Sequence, residues 1–223
     1  MKKPIELARA LTPDGEIFTL SREAEELVVR VKGVLLMSSR RHGSERAMAE
    51  HGVLPIRHRP GARVLIGGLG LGFTLRATLN ALQPDARVVV SELMAALLGW
   101  HEGEVGELTE YPLRDPRVLL APKDVSLVLR ESGPAFDAIL LDVDNSPDAL
   151  SHKGNAWLYG LAGLQTIHSR LTEGGLLVVW SSGESPAFGR RLTQAGFVAR
   201  VERVYARGEI KKGGRHWLYV GAR

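Results

Sequence analysis

The sequence predicts an α/β fold in which a doubly wound, mostly parallel seven-stranded sheet follows a small N-terminal β-hairpin region. From about residue 63 onward, apolar strand patterns alternate with helix patterns, which is typical of strands joined by crossover helices. These strands are near-continuous apolar runs, as expected when a parallel sheet is covered on both faces. A glycine-rich turn separates the first of them from a helix. Sheets of this kind bind ligands at the carboxyl ends of their strands, so candidate site residues are expected there.

The N-terminal part of the chain has a different pattern. Residues 5–38 contain short alternating and β-branched runs separated by turn residues, which predicts antiparallel hairpins. Residues 44–53 have a helical pattern, and Ser44 is the predicted N-cap of this helix. We therefore divide the chain into a small N-terminal β region, residues 1–43, and a larger α/β domain, residues 44–223.

The larger domain alternates strands and helices almost to its end. Predicted strands cover residues 64–66, 87–91, 118–120, 138–141, 176–180, 198–205 and 217–220. Predicted helices cover residues 74–82, 93–100, 124–130, 160–171 and 186–195. Each of these helices follows a strand, and the last two strands have no helix between them, which predicts that they are antiparallel.

The composition excludes several classes of protein. Apolar residues make up 44% of the 223 residues and charged residues 24%, as in ordinary globular domains. The chain has no cysteine, which excludes disulfides, thiolate nucleophiles and cysteine-based zinc sites, and its histidines lack metal-ligand spacing. We therefore expect no metal. No apolar run approaches the roughly 18 residues of a membrane span and no signal peptide is evident, so we expect a cytoplasmic protein with no membrane segment.

The net charge of +4 is a mild basic bias that is concentrated near the C-terminus. The basic residues of this tail are Arg200, Arg203, Arg207, Lys211, Lys212, Arg215 and Arg223. The tail could attract nucleic acid, but it lacks the alternation of aromatic and basic residues found in single-strand binders. A solvated pair of strands with basic outward faces is the interpretation that we favour.

The glycine-rich turn, Gly67–Gly72, is the first candidate binding element. Gly68, Gly70 and Gly72 alternate with leucines, directly after a buried strand and directly before a helix. Glycine allows positive φ angles and a close approach of ligand to backbone, and the helix start offers free N–H groups. This context predicts that the turn binds a nucleotide-type ligand, whereas the turn alone would be weak evidence.

Acidic residues follow the next two predicted strands. Glu92 ends the second strand about 20 residues after the turn, where a carboxylate can accept both ribose hydroxyls of a nucleoside. Asp124 follows the third strand and could accept a hydrogen bond from an adenine amino group. Asp124 is also a good helix N-cap, and the two roles are compatible.

The densest polar cluster follows the fourth strand. Asp142, Asp144 and Asn145 lie there in a turn-rich segment. Two carboxylates at this edge could hold an ammonium group or accept a proton from an attacking amine, although a polar turn explains Asp144 equally well. Trp157 and Tyr159 come after the cluster and could line a substrate pocket, with core packing as the alternative.

In this order, the motifs resemble the spermidine synthase-like (polyamine aminopropyltransferase-like) branch of the class I S-adenosylmethionine-dependent methyltransferase-fold proteins. The resemblance covers roughly Val34 to Trp180 and rests on Arg63–Gly68, Ser91–Leu93, Asp115–Val118 with Asp124, and Phe136–Asp142. It implies a Rossmann-like catalytic domain. It also implies that Gly67, Gly68, Gly70, Gly72, Glu92, Asp124 and Asp142 bind the cofactor.

The resemblance implies the remaining roles too. Asp142 lies at the family's catalytic aspartate, with Asp144 as a second catalytic carboxylate, and Asn145, Glu45 and Tyr159 would contact a small-molecule acceptor. The cofactor would be S-adenosylmethionine or its decarboxylated form, with S-adenosylhomocysteine or methylthioadenosine as the product. The family resemblance also leads us to expect a homodimer.

At three places the sequence departs from the family's usual motifs. The family usually has an aspartate where this chain has Gly70. Its Asp-Glu-x-x-Tyr-His-Glu helix is Ser44–Glu50 here, with Glu45 and Glu50 retained. Its Asp-Ser-x-Asp-Pro segment becomes Asp142–Pro147, with the second acidic residue displaced by one position. These changes concern the acceptor more than the nucleoside, so either a methyl or an aminopropyl group could be transferred.

Two other functions stay open. A non-catalytic protein could keep the fold and the cofactor and act through its basic tail on nucleic acid. An NAD-dependent oxidoreductase is the other alternative. Against it, the spacing of Gly68, Gly70 and Gly72 is tighter than G-x-G-x-x-G, and the chain has no Tyr-x-x-x-Lys pair.

Overall fold

A computed structural model describes residues 3–12, 14–143, 147, 155–208 and 213–223. It confirms the α/β fold, with a seven-stranded sheet and a separate four-stranded antiparallel sheet. The strands are β1 (Ile5–Leu11), β2 (Ile17–Glu23), β3 (Glu26–Val31), β4 (Val34–Ser38), β5 (Arg63–Gly67), β6 (Arg87–Ser91), β7 (Val118–Ala121), β8 (Phe136–Leu141), β9 (Leu171–Ser181), β10 (Val198–Tyr205) and β11 (Arg215–Ala222). The helices are α1 (Gly43–Val53), α2 (Phe73–Ala81), α3 (Ala95–Trp100), α4 (Glu104–Leu108), α5 (Val125–Arg130), α6 (Asn155–Tyr159), α7 (Leu161–Arg170) and α8 (Pro186–Gln194).

The larger sheet has the strand order β10-β11-β9-β8-β5-β6-β7. Strands β5 to β9 are parallel, and β11 joins β9 and β10 in antiparallel pairs. The first strand of this sheet along the sequence is β5, which lies in the middle. The next strands, β6 and β7, extend the sheet toward one edge, and β8 then pairs with the other side of β5. The carboxyl ends of β5 and β8 therefore form the switch point at which such sheets bind ligands.

Alternate residues of the central strands enter two different cores. In β5, Val64 and Ile66 belong to the buried cluster that includes α1 and α2, whereas Leu65 belongs to the cluster that includes α5, α7 and α8. Strand β8 divides in the same way, and each of its six residues is buried. Because side chains alternate across a strand, a nearly continuous apolar run can cover both faces of the sheet.

The N-terminal sheet packs beside the switch point. Its core contains Phe18, whose ring stacks on Trp100 of α3 with 4.7 Å between the ring centroids. Leu71 of the glycine turn belongs to this same cluster. The sequence predicted hairpins here, and the structure has four antiparallel strands in the order β1-β2-β3-β4. The predicted division after residue 43 stays a prediction.

Three local features differ from the sequence-based prediction. Ser44 is not the N-cap of α1, because the helix begins at Gly43 and no side chain caps it. Strand β9 begins at Leu171, which pairs with Phe136 of β8 before a register irregularity, so the residues predicted to end the preceding helix are already extended. The short helices α4 and α6 were not predicted, since a five-residue helix leaves little periodicity to detect.

Position 68, in the turn between β5 and α2, requires glycine. Gly68 has a φ angle of +89°, and a Cβ atom there would lie 2.3 Å from the carbonyl oxygen of Asp142. The backbone N–H of Asp142 donates to Gly67, and that of Gly68 donates to Ser91. The close contact between the two strand ends leaves no room for a side chain.

We expect Gly68→Ala to lower the free energy of unfolding by more than about 3 kcal/mol, because it adds a backbone clash to an unfavourable φ angle. Urea denaturation followed by circular dichroism measures the change. Gly99→Ala is the matched control: its Cβ would meet nothing within 4 Å, so its effect should stay below about 1 kcal/mol. Equal effects of the two substitutions would contradict this account of the turn.

At the opposite end of the sheet, Asp137 joins three segments. Its carboxylate accepts hydrogen bonds from the backbone N–H of Arg63 (2.8 Å), from the Arg59 guanidinium (2.5 Å) and from the Thr172 hydroxyl (2.9 Å). Burial alone would raise the pKa of Asp137, but these hydrogen bonds and the Arg59 charge hold it below its usual value. The ionised form therefore stabilises the fold above pH about 4, and this contribution is lost as the pH falls through the lowered pKa.

We expect Asp137→Asn to lower the free energy of unfolding at pH 7 by about 2 kcal/mol, since buried donors lose a charged acceptor. The difference from the wild type should start to shrink below pH about 4 and should disappear as the pH falls through the lowered pKa of Asp137. Denaturant titrations at several pH values measure this. Glu131→Gln removes an exposed ion pair with Lys123 and should cost less than about 1 kcal/mol at any pH. A pH-independent effect of Asp137→Asn would refute the assignment.

Candidate functional site

The glycine turn is anchored by its two leucines. Leu69 is 3% exposed and belongs to the core beneath α1 and α2, whereas Leu71 is 5% exposed and belongs to the N-terminal core. Gly68, Gly70 and Gly72, which alternate with them, all have positive φ angles. The leucines thus point into two cores, and the glycines give the backbone the shape that close ligand contact requires.

His101 fixes this turn from below and was not predicted as a site residue. Its side chain is 2% exposed, and its Nε2 atom lies 3.0 Å from the carbonyl oxygen of Gly70. A carbonyl only accepts, so Nε2 carries the proton in this hydrogen bond. Burial lowers the pKa of His101, which keeps the imidazole neutral. This role could not be predicted from the sequence, because His101 follows a helix that is distant from the turn along the chain.

Glu92 lies directly after β6, as predicted, and its carboxylate contacts the glycine turn. Its two oxygens accept hydrogen bonds from the backbone N–H of Leu69 (2.9 Å) and of Met94 (2.7 Å). Burial raises the pKa of Glu92, while these backbone donors oppose the rise. The backbone N–H groups of Leu93 and Gly70 also act on this carboxylate, and its contact with ribose hydroxyls stays a prediction.

Asp124 lies after β7 and is the N-cap of α5. Its Oδ1 atom accepts a hydrogen bond from the backbone N–H of Ser126 at 2.7 Å. In the described part of the chain its other oxygen accepts no hydrogen bond, so capping leaves it able to accept from an adenine amino group. The cap is observed, and the adenine contact stays a prediction.

Asp142 and Glu45 form a pair of carboxyl groups beside the turn. Asp142 follows β8, and burial followed by the nearby charge of Glu45 raises its pKa to about 7. Glu45 lies in the first turn of α1, and burial raises its pKa too, against a hydrogen bond from Ser44. His42, just before α1, stacks on Phe73 at the start of α2 with 4.2 Å between ring centroids. This contact brings the two helix starts together and Glu45 to the switch point.

The other predicted site residues are placed differently. Asp144 and Asn145 lie outside the described residues. The Tyr159 ring is 2% exposed and packs edge-on against Phe188 in the core below α8. Core packing thus accounts for this ring, and its contact with an acceptor stays a prediction.

The donor set fits an adenosine-type cofactor. Gly68, Glu92, Asp124 and Asp142 each follow a different strand, and the four strands are neighbours in the sheet. Turn glycines with positive φ angles, and polar side chains at the ends of neighbouring strands, are features that such a ligand requires. Over residues 3–12, 14–143, 147, 155–208 and 213–223, no group of three or more histidine, aspartate or glutamate side chains could hold a metal ion.

Some of the basic residues near the C-terminus make contacts within the protein. Arg223 donates a hydrogen bond to the carbonyl oxygen of Leu171, and Arg200 forms an ion pair with Glu202 at 3.3 Å. Lys211 and Lys212 lie outside the described residues. None of the described helices has the length and apolar character needed to cross a membrane.

Comparison with known proteins finds solved structures with the same fold. No protein-family profile and no curated protein sequence matches the chain. A solved spermidine synthase in complex with the transition-state analogue AdoDATO is 16% identical, with a TM-score of 0.75 over 98% of this chain and 72% of that one. Spermidine synthase from Thermotoga maritima is 17% identical, with a TM-score of 0.76 and the same coverage of 98% and 72%.

A probable spermidine synthase from Corynebacterium glutamicum gives a similar result. It is 18% identical, with a TM-score of 0.66 over 100% of this chain and 81% of that one. At these identities the likeness establishes the fold. The chain is therefore a spermidine synthase-like protein in its fold.

Proposed function

We propose that this chain is a transferase that binds S-adenosylmethionine or its decarboxylated form and transfers an alkyl group to a small amine. The observation that carries the proposal is the half-buried carboxyl pair of Asp142 and Glu45 beside a glycine turn that Glu92 secures. A carboxyl group with a pKa near 7 is suited to take a proton from an amine at neutral pH.

Each residue of the site would have a separate role. Gly68 and its neighbours would let the nucleoside approach the backbone, Glu92 would hold the ribose, and Asp124 would contact the adenine. When bound, the cofactor supplies a carbon next to a sulfonium, and the leaving thioether is neutral and needs no acid. Glu45 would attract the cationic amine, and an ionised Asp142 would take one proton from it and so free the nitrogen lone pair. The nitrogen would then form a bond to that carbon as the bond from the carbon to sulfur breaks, which leaves a neutral thioether and a protonated product amine.

Aminopropyl transfer is the form of this reaction that the fold comparison favours, because the similar solved structures are spermidine synthases. Methyl transfer is the other form, since both reactions displace the same kind of leaving group. The glycine at position 70, where the resembling family usually has an aspartate, removes one carboxylate from the turn. The two forms therefore need a direct experiment. A cytoplasmic homodimer also belongs to this proposal, and light scattering after size exclusion tests the dimer.

Calorimetry tests the cofactor site. We expect S-adenosylmethionine, decarboxylated S-adenosylmethionine or methylthioadenosine to bind, and Glu92→Ala to weaken that binding about 10- to 100-fold through loss of charged hydrogen bonds. Glu110→Ala, an exposed carboxylate, is the control and should leave affinity unchanged. Failure of all three nucleosides to bind would refute the central claim. Turnover of putrescine with only the decarboxylated form would assign aminopropyl transfer.

Asp142→Asn separates function from stability. We expect turnover to fall at least about 100-fold, because the amine loses its base. Because the pKa of Asp142 is raised, the ionised form destabilises the fold progressively from pH about 4 to pH 7 and fully above it. Asp142→Asn should thus raise the free energy of unfolding at pH 8 by about 2 kcal/mol, with little change at pH 4. Denaturation at both pH values measures this, and a loss of stability at pH 8 would count against the assignment.

A further inference from the structure

The carboxyl pair is connected to the far end of the sequence through Ser44. Ser44 is 1% exposed, and its hydroxyl oxygen lies 2.7 Å from Oε2 of Glu45. The same oxygen lies 3.0 Å from Nδ1 of His216, a residue of β11. One continuous hydrogen-bond chain therefore joins Glu45 and Ser44 of α1 to His216 of β11, the last strand along the sequence.

The direction of this chain follows from the number of protons. An ionised carboxylate only accepts, so the single hydroxyl proton of Ser44 points to Glu45. The Ser44 oxygen must then accept the second hydrogen bond, which requires a proton on Nδ1 of His216. The arrangement is thus His216 donating to Ser44 and Ser44 donating to Glu45. The hydrogen bond to Glu45 is strongest while Glu45 is ionised, because a charged acceptor binds a donor more strongly than a neutral carboxyl oxygen does.

The surroundings of His216 keep it in the required form. Its ring packs edge-on against Trp180, with 4.7 Å between the ring centroids. Burial, followed by the positive charge of Arg41, lowers the pKa of His216, so the imidazole is neutral at neutral pH. Arg41 faces it from the loop before α1, and Glu45 faces it through Ser44.

Asp142 has no comparable support. In the described ranges its carboxyl group accepts no hydrogen bond, and the charge that acts on it is that of Glu45. Two neighbouring carboxylates in a buried site disfavour double ionisation, so the pair retains one proton over an extended pH range. Glu45, which has a hydrogen-bond donor in Ser44, stays ionised more easily. Asp142, which has no such donor among the described residues, takes the proton.

We propose that Ser44 and His216 are positioning residues that hold Glu45 as the ionised member of the pair and thereby assign the exchangeable proton to Asp142. This inference rests on the proposed function for its use: Asp142 must release this proton before it can take one from the amine, and its pKa of about 7 makes both forms accessible at neutral pH. The assignment itself concerns the free protein and needs no substrate.

Carbon-13 NMR of the carboxyl groups tests the assignment on the full chain without ligand. The signals of Glu45 and Asp142 are identified from Glu45→Gln and Asp142→Asn. In the wild type we expect Glu45 to ionise first and Asp142 to follow at a pH of about 7. In Ser44→Ala the order should reverse or the gap should narrow by at least one pH unit, which is a tenfold change in proton distribution.

Conservative variants separate positioning from a merely structural role. Ser44→Thr keeps the hydroxyl and should keep the wild-type order of ionisation. His216→Phe keeps a ring against Trp180 but loses the donor, so it should act like Ser44→Ala, whereas His216→Asn supplies an N–H and should restore much of the gap. If Ser44→Ala does not fold, as judged by near-ultraviolet circular dichroism, the two His216 variants decide the question.

Two results would overturn the inference: earlier ionisation of Asp142 in the wild type, or identical titrations of Ser44→Ala, His216→Phe and the wild type. The outcome is independent of turnover. A chain that binds no nucleoside but titrates in the expected order contradicts the proposed function and supports this inference. An active chain with the reverse order supports the proposed function and refutes this inference alone.

Discussion

The contact between the ends of β5 and β8 is the constraint on which the site depends. The two strands are hydrogen-bonded neighbours, so the residues that follow them meet, and Gly68 lies against the Asp142 carbonyl. This contact places the glycine turn and the half-buried carboxyl group of Asp142 within one small region. The rest of the fold supports it: Leu69 and Leu71 anchor the turn in two cores, and His101 fixes its carbonyl from below.

Electrostatics impose a second constraint at this position. A carboxyl group buried at the switch point loses hydration, and a second one beside it raises the cost further. Glu45 has a donor in Ser44, whereas Asp142 accepts no side-chain hydrogen bond from the residues that the structure describes. Unequal support of two similar groups is a common way in which proteins create one acid and one base from the same chemistry.

Most of the architecture could be predicted from the sequence because it follows from local patterns. The apolar runs at β5, β6 and β8 and the glycines before α2 depend on neighbouring residues only, and Glu92, Asp124 and Asp142 could be located by their positions after strands. Strand β9 was predicted too short because its first residues pair only through the irregular register with Phe136. The sequence pattern at that point, with two glycines, resembles a turn.

The parts of the site that were not predicted are contacts between residues distant in the chain. His101 reaches Gly70 across 31 positions, and His216 reaches Ser44 across 172. No spacing rule connects such pairs, since the sheet order brings them together. Ser44 illustrates the difficulty well: a serine before a helical run usually caps it, but here the helix starts one residue earlier and the hydroxyl is free to serve Glu45.

The two hydrogen bonds that Glu92 accepts from Leu69 and Met94 have a consequence for affinity. They hold the carboxylate and the turn in one arrangement, so a ligand that binds at this turn would cause little further loss of conformational entropy. Preorganisation of this kind also makes ligand recognition depend on the same hydrogen bonds that hold the folded turn. Any replacement of Glu92 would loosen the turn as well as remove the proposed ribose contact, so selection for a stable fold alone would preserve the shape of the turn even if the ligand changed.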